Sequence, residues 1–425
     1  MVNDLDKEAA GALSGPGGVP RRVNLIFSGG ADTPAERMAA IRQLRKGQIL
    51  NHLLKEGSAS RVDISRALGF NLRTVSLLVC SLIDENIIIE KPVVASNNMG
   101  RRPVPLELNS RAASVLAIDA RRHKTGMALL DLHGAVLVRS ERASDFGDSP
   151  EEQGQWVTEA ALDFLQQHHG DLPPLAGCGL SFEGFVFRQH VAHRHAASTE
   201  PIRLALENGL QTPVSSDTDS RLIAIAEQWF GEAKGARDAV ILNISDGLGV
   251  GLIVDGKIMD GVNGLAGEIG HVPLGDPGIP CYCGSRGCLE NVVSGAGLMR
   301  MAAHHGLVTN SDSPDVAHVL AMIENSNRGH QVMEKFISCL ALAVILTDNL
   351  FDPGIIVLGG TVAPQIAPFY SRILEHLDKS GVPFLIEKTR IGFSTLGEDA
   401  VLLGAAGQIL NHIYSASHVE AEALL

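Results

Sequence analysis

Residues 265–290 read LAGEIGHVPLGDPGIPCYCGSRGCLE, a stretch that places His271, Cys281, Cys283 and Cys288 in the spacing H-x9-C-x-C-x4-C. Four nitrogen and sulfur ligands in one short segment suit a closed tetrahedral zinc site. The glycines and prolines between them favour turns that would wrap the chain around an ion. Because no further ligand is evident, we predict a structural Zn²⁺. The alternative is an ordinary loop of small residues.

Two carboxylates flank these ligands. Glu268 lies three residues before His271, and Glu290 lies two residues after Cys288. A zinc-bound loop would hold both carboxylates beside the imidazole, where they can accept several directional hydrogen bonds from a polyhydroxyl ligand. The pattern predicts a sugar-binding site, with two solvated glutamates as the alternative.

Length and composition limit the class of protein. A chain of 425 residues is too long for one ordinary core, so two or three domains are expected. Three of the six cysteines fall within eight residues, and in a reducing compartment such crowding indicates metal binding rather than disulfides. Neither a secretion signal nor an apolar stretch of membrane-spanning length is evident. We therefore expect a cytoplasmic protein with no membrane partner.

Charge is unevenly distributed along the chain, whose net charge is −13. Residues 1–110 carry 14 Lys and Arg against 11 Asp and Glu, whereas the remainder carries 21 against 37. A mildly basic head on an acidic body is compatible with DNA contact through one end only. A surplus of three charges is also compatible with chance.

The first 110 residues contain the pattern of a winged helix-turn-helix. We predict a disordered tail over residues 1–35 and a DNA-binding domain over residues 36–110, which starts with a helix to Glu56. Ser60-Arg61-Val62-Asp63 has the form of a capping box for a second helix, and Asn71 is placed to cap a third. Ile87–Ile89 and residues 104–109 read as the two strands of a wing.

The third helix has one apolar face, formed by Val75, Leu78, Val79 and Leu82 at helical spacing. Polar side chains on the other face are able to reach base edges or phosphates of a double-stranded operator. The alternative is a helical hairpin with an ordinary solvated face. The predicted DNA-binding residues in and near this helix are Ser60, Asn71, Arg73, Thr74 and Ser76, and Ser81 shares the polar face.

Gly100-Arg101-Arg102-Pro103 follows the wing loop. Two arginines held extended by a following proline can insert into a narrow minor groove, so Arg101 and Arg102 complete the predicted DNA contacts. A basic interdomain linker is the alternative for this motif.

From Ser114 onward the chain has an alternating α/β pattern. Three short strands and the following helices form one unit, and AVILNIS and GVGLIVDG (residues 239–256) open a second similar unit. We predict two lobes: residues 111–232 together with a C-terminal helix over 399–414, and residues 233–398 with the zinc loop 265–290.

These motifs resemble the ROK family, which comprises repressors, uncharacterised reading frames and sugar kinases. The stretch from Leu265 to His271 and the stretch from Cys281 to Glu290 look like the family's zinc signature, and the resemblance extends over about residues 36–412. It implies an α/β, actin-like or ribonuclease-H-like, two-lobed sugar-kinase-type body. It also implies a sugar or sugar phosphate bound between the lobes, and a homodimer or homotetramer.

Several site residues follow from the resemblance. Asp217 looks like the carboxylate that acts as base on the sugar hydroxyl in family kinases, and Glu268, His271 and Glu290 resemble the family's sugar-contacting residues. Ser216 stands where the family often has Asn, so sugar contact there is expected to differ.

The phosphate-binding turns of the family kinases are degenerate in this chain. Residues 119–125 read DARRHKT where those kinases have a glycine-rich turn, and residues 245–249 read SDGLG with Asp246 beside the expected polyphosphate. Gly359-Gly360 resembles the adenosine-side turn, although an ordinary strand-to-helix turn explains it as well. We therefore expect a protein that is not an enzyme.

The function predicted from the sequence is a sugar-responsive DNA-binding transcriptional regulator, a repressor of carbohydrate uptake or catabolism genes. The alternatives are an ATP-dependent sugar kinase with an accessory DNA-binding head, and a sugar sensor whose head binds a protein partner.

Overall fold

The structure is a computed structural model, and it describes residues 33–92, 103–121, 123–147, 149–168, 170, 172–182, 199–308, 316–324, 326–380 and 387–414. The predicted tail, apart from its last residues, and the Arg101-Arg102 pair lie outside the described residues. The chain forms a helical head with a two-stranded sheet, followed by two five-stranded sheets.

The head begins with three helices whose ends follow from local hydrogen bonds. They are α1 (Pro34–Glu56), α2 (Arg61–Leu68) and α3 (Leu72–Asp84). Thr33 and Ser60 form capping boxes for α1 and α2, and Gly57 ends α1 at a φ of 73° that favours glycine. The strands β1 (Ile88–Glu90) and β2 (Leu106–Leu108) pair antiparallel, as predicted for a wing.

The core of the head is formed by apolar residues from all three helices and the small sheet. Ile49, Ile64, Val79, Leu82 and Leu106 are all fully buried. The remaining elements of the head therefore pack around the predicted apolar face of α3. Burial of each such side chain stabilises the folded head by about 1.5–3 kcal/mol.

The first five-stranded sheet follows the head. Its strands are β3 (Ser114–Ala120), β4 (Lys124–Asp131), β5 (Val136–Ala143), β6 (Leu175–Phe182) and β7 (Val214–Asp217), in the order β5-β4-β3-β6-β7. The helices α4 (Pro150–Gln167) and α5 (Glu200–Leu210) lie between β5 and β6 and between β6 and β7 in the sequence.

The second sheet repeats the order of the first. After α6 (Asp219–Phe230) come β8 (Ala239–Ile244), β9 (Leu248–Val254), β10 (Lys257–Ile258), β11 (Ile355–Gly359) and β12 (Arg390–Phe393), ordered β10-β9-β8-β11-β12. β8 pairs antiparallel with β9 and parallel with β11. Asp255 and Gly256 both have positive φ, as a two-residue hairpin requires. The repeated order confirms the α/β fold of two similar units that the pattern predicted, in the actin-like architecture that the resemblance implied.

Helices from the second half of the chain accompany this sheet. They are α7 (Gly295–His304), α8 (Val316–Glu324), α9 (Asn327–Phe351), α10 (Ala363–Ile366) and α11 (Tyr370–Ser380), and the final helix, α12 (Ala400–Tyr414), follows β12. The pattern analysis missed α10, α11 and β12. α11 nevertheless has a clear apolar face, with the fully buried Ile373 and Leu377 one turn apart, so the signal for this helix was present in the sequence.

α9 differs from the expectation that no apolar stretch would be long enough to span a membrane. By length and composition it is the one such helix among the described residues, and about half of the qualifying window is buried. Val332, Phe336, Leu340 and Val344 contribute to the core beside the second sheet.

The described chain divides into two compact units. One contains the head, the first sheet up to Leu180, Thr199–Ser216 and the residues from Ala405; the other contains Asp217–Gly404. This division differs from the predicted lobe boundaries, because α6 belongs with the second unit. Gly249 and Gly251 on β9 leave no room for a Cβ against Ser220 and Ala224 of α6, which explains the assignment.

The end of α12 connects the head to the first sheet's unit. The Tyr414 hydroxyl donates to the Leu132 carbonyl at 2.6 Å, and the Asn51 side chain of α1 donates to the Tyr414 carbonyl at 3.2 Å. α12 also has residues in both units, because the division falls between Gly404 and Ala405.

Gly179 tests how tightly α12 packs on β6. A Cβ at Gly179 would overlap the backbone carbonyl of Ala405, whereas a Cβ at Gly392 in β12 would meet nothing within 4 Å. We expect Gly179→Ala to lower the free energy of unfolding by about 2–3 kcal/mol through overpacking. Gly392→Ala, the matched control, should change it by less than about 0.5 kcal/mol. Denaturant unfolding followed by circular dichroism measures both, and equal stability of the two variants would contradict the packing.

Candidate functional site

The predicted recognition helix α3 begins at a polar cap. Asn71 accepts a hydrogen bond from the Thr74 backbone N–H at 2.7 Å, as expected for an N-cap. Ser60 has the same role for α2, where its hydroxyl also donates to Asp63 at 2.6 Å. Since Ser60 is only 5% exposed, its hydroxyl serves the cap and has no surface for the DNA contact predicted for it.

The outward face of α3 differs in part from the predicted one. Arg73 is exposed, and Thr74 and Ser76 are half-buried. Ser81 is instead tied to α1, because it accepts from Arg42 at 3.3 Å and donates to Glu85 at 2.7 Å. Glu85 also pairs with Lys46, so Ser81 belongs to a polar contact between helices.

Two leucines on this helix were not predicted as surface residues. Leu77 is 64% exposed and Leu72 is 48% exposed. The buried face of α3 was predicted from apolar residues at i, i+3 and i+4, and only polar residues were predicted on the opposite face. A helical wheel of α3 contains the signal, because Leu77 lies one turn after Arg73.

The four predicted metal ligands come together in the structure. The ligating atoms of His271, Cys281, Cys283 and Cys288 all lie within 4.8 Å of one another. The His271 Nδ1 to Cys281 Sγ distance and the Cys283 Sγ to Cys288 Sγ distance are both 3.7 Å. Ligands at zinc-like bond lengths around a tetrahedral ion stand about 3.4–3.8 Å apart. The group therefore has the geometry to hold a metal ion.

Backbone hydrogen bonds close the loop that carries the cysteines. Gly275 donates to Gly287 at 2.8 Å, and Cys281 donates to Ser285 at 2.9 Å. Gly284 and Gly287 have φ values of 92° and 71°, which side chains with a Cβ rarely adopt. The glycines between the cysteines therefore allow the turns that bring the sulfurs together.

His271 faces two environments. Its Nδ1 lies toward Cys281, whereas its Nε2 lies 3.4 Å from the Tyr282 hydroxyl and 3.8 Å from a Glu268 carboxylate oxygen. The Tyr282 ring meets the imidazole edge to face at a centroid distance of 5.3 Å. One imidazole thus joins the metal ligands to the carboxylate predicted to bind sugar. Tyr282 was not predicted as a site residue, although this residue lies between the predicted ligands Cys281 and Cys283.

The two predicted carboxylates occupy different environments. Burial raises the pKa of Glu268 to about 7, with Arg221 opposing the rise. Glu290 is buried and accepts the Leu248 backbone N–H at 3.1 Å. A Cβ at Gly247 would lie 2.7 Å from the Glu290 carboxylate, so this glycine makes room for it. The Glu290 carboxylate adds to the rise in the pKa of Glu268.

Asp217 is held by an arginine that the sequence analysis did not identify. Arg221 Nε donates to Asp217 Oδ1 at 2.5 Å, and the Thr218 N–H donates to the same oxygen at 2.8 Å. The Arg221 side chain is only 6% exposed, and it also donates to the Gly264 carbonyl at 2.8 Å. Burial raises the pKa of Asp217, and the guanidinium counteracts the rise.

Ser216 belongs to a different compact unit from the other predicted sugar-binding residues. It belongs to the first unit, where its hydroxyl lies 3.5 Å from that of Thr199. Asp217, Glu268, His271 and Glu290 all belong to the second unit.

The turn after β3 differs from a phosphate-binding loop in its hydrogen bonds. Arg121 and Lys124 bond to each other's backbone at 3.1 and 3.3 Å, forming a tight hairpin. The Arg121 side chain donates to the Asp119 carboxylate at 2.8 Å. The Asp119 carboxylate near the end of β3 is therefore already paired with an arginine side chain.

The glycines near the second turn have structural roles. Gly249 and Gly251 allow α6 to approach β9, and Gly247 makes room for Glu290. A Cβ at Gly360 would approach the Asn243 side chain and the Ile244 carbonyl, both at 2.5 Å, which supports the ordinary-turn interpretation of Gly359-Gly360. These contacts account for the glycines without a nucleotide.

Comparison with known proteins places the chain in a family. A model of the ROK family matches residues 115–411. The xylose repressor of Caldicellulosiruptor bescii is 25% identical over 393 residues, which cover 88% of this chain and 97% of the relative. The glucokinase of Halalkalibacterium halodurans is 28% identical over 317 residues, covering 68% of this chain and 92% of the relative.

A solved structure has the same fold over most of the chain. It is a ROK family transcriptional regulator described as a homolog of the E. coli Mlc protein, with a TM-score of 0.77 and 23% identity. The similarity covers 88% of this chain and 97% of that one. With the family model spanning more than half of its residues, this chain belongs to the ROK family.

Proposed function

We propose that this protein is a sugar-responsive DNA-binding transcriptional repressor that acts on carbohydrate genes in the cytoplasm. The observation that carries the proposal is the presence, on one chain, of a winged helix-turn-helix head and a carboxylate-rich site beside a Cys₃His group. Relatives named as xylose repressors are matched over nearly their whole length.

The head supports binding to a double-stranded operator. α3 presents Arg73 and Ser76 on its accessible face, with the Asn71 cap at its start. The glucokinase match covers 68% of the chain and the repressor match covers 88%, a difference of about the length of the head. Because operators are read as repeated half-sites, we propose that the functional form is a homodimer or homotetramer.

Zinc is the metal that suits the Cys₃His group, because thiolate and imidazole ligands in a tetrahedral arrangement favour it. When bound, it would supply cross-linking of the loop rather than chemistry. His271 would bind through Nδ1, which leaves Nε2 directed toward Tyr282 and Glu268. The metal ligand would thus orient the sugar-binding imidazole.

The ligand proposed for the second unit is a sugar or sugar derivative. Glu268, Glu290 and Asp217 offer carboxylate oxygens, and His271 offers a ring nitrogen, as partners for hydroxyl groups. Arg221 holds Asp217 and the Gly264 carbonyl in place, so that the carboxylate is oriented before a ligand arrives. Ser216 is proposed as an additional hydroxyl contact.

α12 is the proposed link between ligand and head. It has residues in both units, and its last residue accepts a hydrogen bond from Asn51 of α1. A sugar that prefers one conformation of the body would shift the population of heads able to engage both half-sites. The shift is limited by the difference in sugar affinity between the two conformations.

We propose further that the protein does not transfer phosphate. The Arg221 guanidinium is bonded to Asp217, the residue in the position of the kinase base, and Arg121 is bonded to Asp119. Phosphoryl transfer depends on oriented backbone donors and a free base, and the glycines near the second turn are explained by packing. The similarity to a glucokinase keeps ATP-dependent sugar phosphorylation as the second candidate.

Metal content tests the Cys₃His group. The purified protein should contain one zinc per chain, and Cys283→Ser should lose most of it because a tetrahedral site needs all four ligands. The control is Cys80→Ser, since Cys80 is an exposed cysteine of the head outside the group. Mass-spectrometric metal analysis measures the ratio. Full zinc content in Cys283→Ser would contradict the assignment.

DNA affinity tests the head. Duplexes selected by the wild-type protein from a random pool should bind Arg73→Ala about 5–100-fold more weakly, because a base or phosphate contact is lost. Asp217→Ala and the exposed-arginine control Arg237→Ala should bind like the wild type in the absence of sugar. A gel-shift titration at fixed salt gives the dissociation constants. Wild-type affinity in Arg73→Ala would argue against α3 as the recognition helix.

Sugar binding and turnover are tested together. In a thermal-shift panel of glucose, xylose, N-acetylglucosamine and their phosphates, at least one should raise the melting temperature of the zinc-loaded protein. Glu268→Gln should weaken that ligand about 10–100-fold, since replacing a carboxyl oxygen with an amide NH₂ leaves a sugar hydroxyl without its acceptor. Glu375→Gln, an exposed glutamate in the same unit, is the control.

The same samples decide between the two candidate functions. With ATP and the stabilising sugar, a coupled assay should show no sugar-dependent ADP release. Release that Asp217→Asn abolishes would establish the kinase instead.

A further inference from the structure

The accessible face of α3 is unusually apolar for a solvated helix. Leu77 is 64% exposed on the side opposite Val75, Leu78 and Leu82, which are buried in the head. It shares its face with Arg73, one turn earlier, and with Cys80, three residues later, which is also exposed. Burying a leucine side chain stabilises a folded protein by about 1.5–3 kcal/mol. Because Leu77 is exposed, its side chain does not stabilise the folded head in this way.

The charges around Leu77 favour a polyanionic partner. The one carboxylate of α3, Asp84, lies two turns after Leu77 at the C-terminal end of the helix, and the first turn has no acidic residue. Arg73 on the same face has no ion pair within the described residues, and Arg66 at the end of α2 is 79% exposed. An apolar protein surface would not need this arginine, whereas DNA would.

The major groove offers one apolar group to such a side chain, the C5 methyl of thymine. We propose that Leu77 determines operator specificity by contacting a thymine methyl group, an inference that rests on the proposed DNA-binding function. Four residues separate Leu77 from Arg73, a rise of about 6 Å along α3. Since base pairs are stacked about 3.4 Å apart, the thymine lies about two base pairs from the Arg73 contact.

Removing a single methyl group from the DNA tests this contact. Duplexes that the full-length wild-type protein selects from a random pool are resynthesised with deoxyuridine in place of one thymidine at a time. We expect one position per half-site at which wild-type binding becomes about fourfold weaker, the effect of one lost apolar methyl contact. Dissociation constants come from titrations at a single salt concentration, because affinity for DNA depends strongly on salt.

A substitution in the protein tests whether Leu77 is the residue that contacts the methyl group. Leu77→Ala should bind the thymidine duplex about as weakly as the wild type binds the deoxyuridine duplex, and it should not distinguish the two. Because Leu77 is exposed, the variant should keep its fold, which its melting temperature and zinc content verify. Leu350→Ala is the matched control: Leu350 is 63% exposed on α9, and this variant should retain the full preference for thymidine.

The outcomes separate this inference from the proposed function. Wild-type binding that is unchanged by deoxyuridine at every thymidine would overturn the methyl contact while leaving DNA binding intact. A Leu77→Ala protein that keeps the methyl preference would do the same, and would leave a protein partner as the occupant of this face. Failure of the wild type to select any duplex contradicts the repressor function itself.

Discussion

The convergence of one imidazole and three thiols within 4.8 Å is the constraint on which the ligand site depends. Cysteine side chains are short, so their sulfurs meet only if the backbone turns tightly around them. Gly284 and Gly287 at positive φ, and the Gly275–Gly287 backbone hydrogen bond, provide those turns. The loop fixes the ring of His271, and through it the positions of Glu268 and Tyr282.

The same neighbourhood supports the proposal that this kinase-like body does not transfer phosphate. A general base needs a carboxylate that is free to accept a proton from the reacting hydroxyl. Here the Arg221 guanidinium and the Thr218 N–H both donate to the same oxygen of Asp217. The carboxylate remains available for a hydrogen bond, but its electron density is already shared with a buried cation. Glycines that in a kinase would admit phosphate here admit a helix or the Glu290 carboxylate.

Polar contacts, in addition to the apolar core, join the helices of the head. Lys46 and Arg42 of α1 meet Glu85 and Ser81 beside α3, and Asn51 on the next turns of α1 bonds to the end of α12. α1 therefore touches both the recognition helix and the last residue of the body's final helix. In the proposed coupling, a change in the position of α12 would reach α3 through these contacts.

Much of the fold and the identity of the metal ligands were determined by sequence alone, because they depend on local signals. Capping residues, apolar periodicity and the spacing of His271, Cys281, Cys283 and Cys288 act within a few turns of chain. Tertiary structure decided what depends on distant neighbours. Burial in a cap removed Ser60 from the DNA surface, a contact with Arg42 removed Ser81, and Leu77 is left exposed by the described residues of the head. Arg221 became part of the site only because the chain brings Gly264 and Asp217 to the same guanidinium, a coincidence in space that residue spacing does not encode.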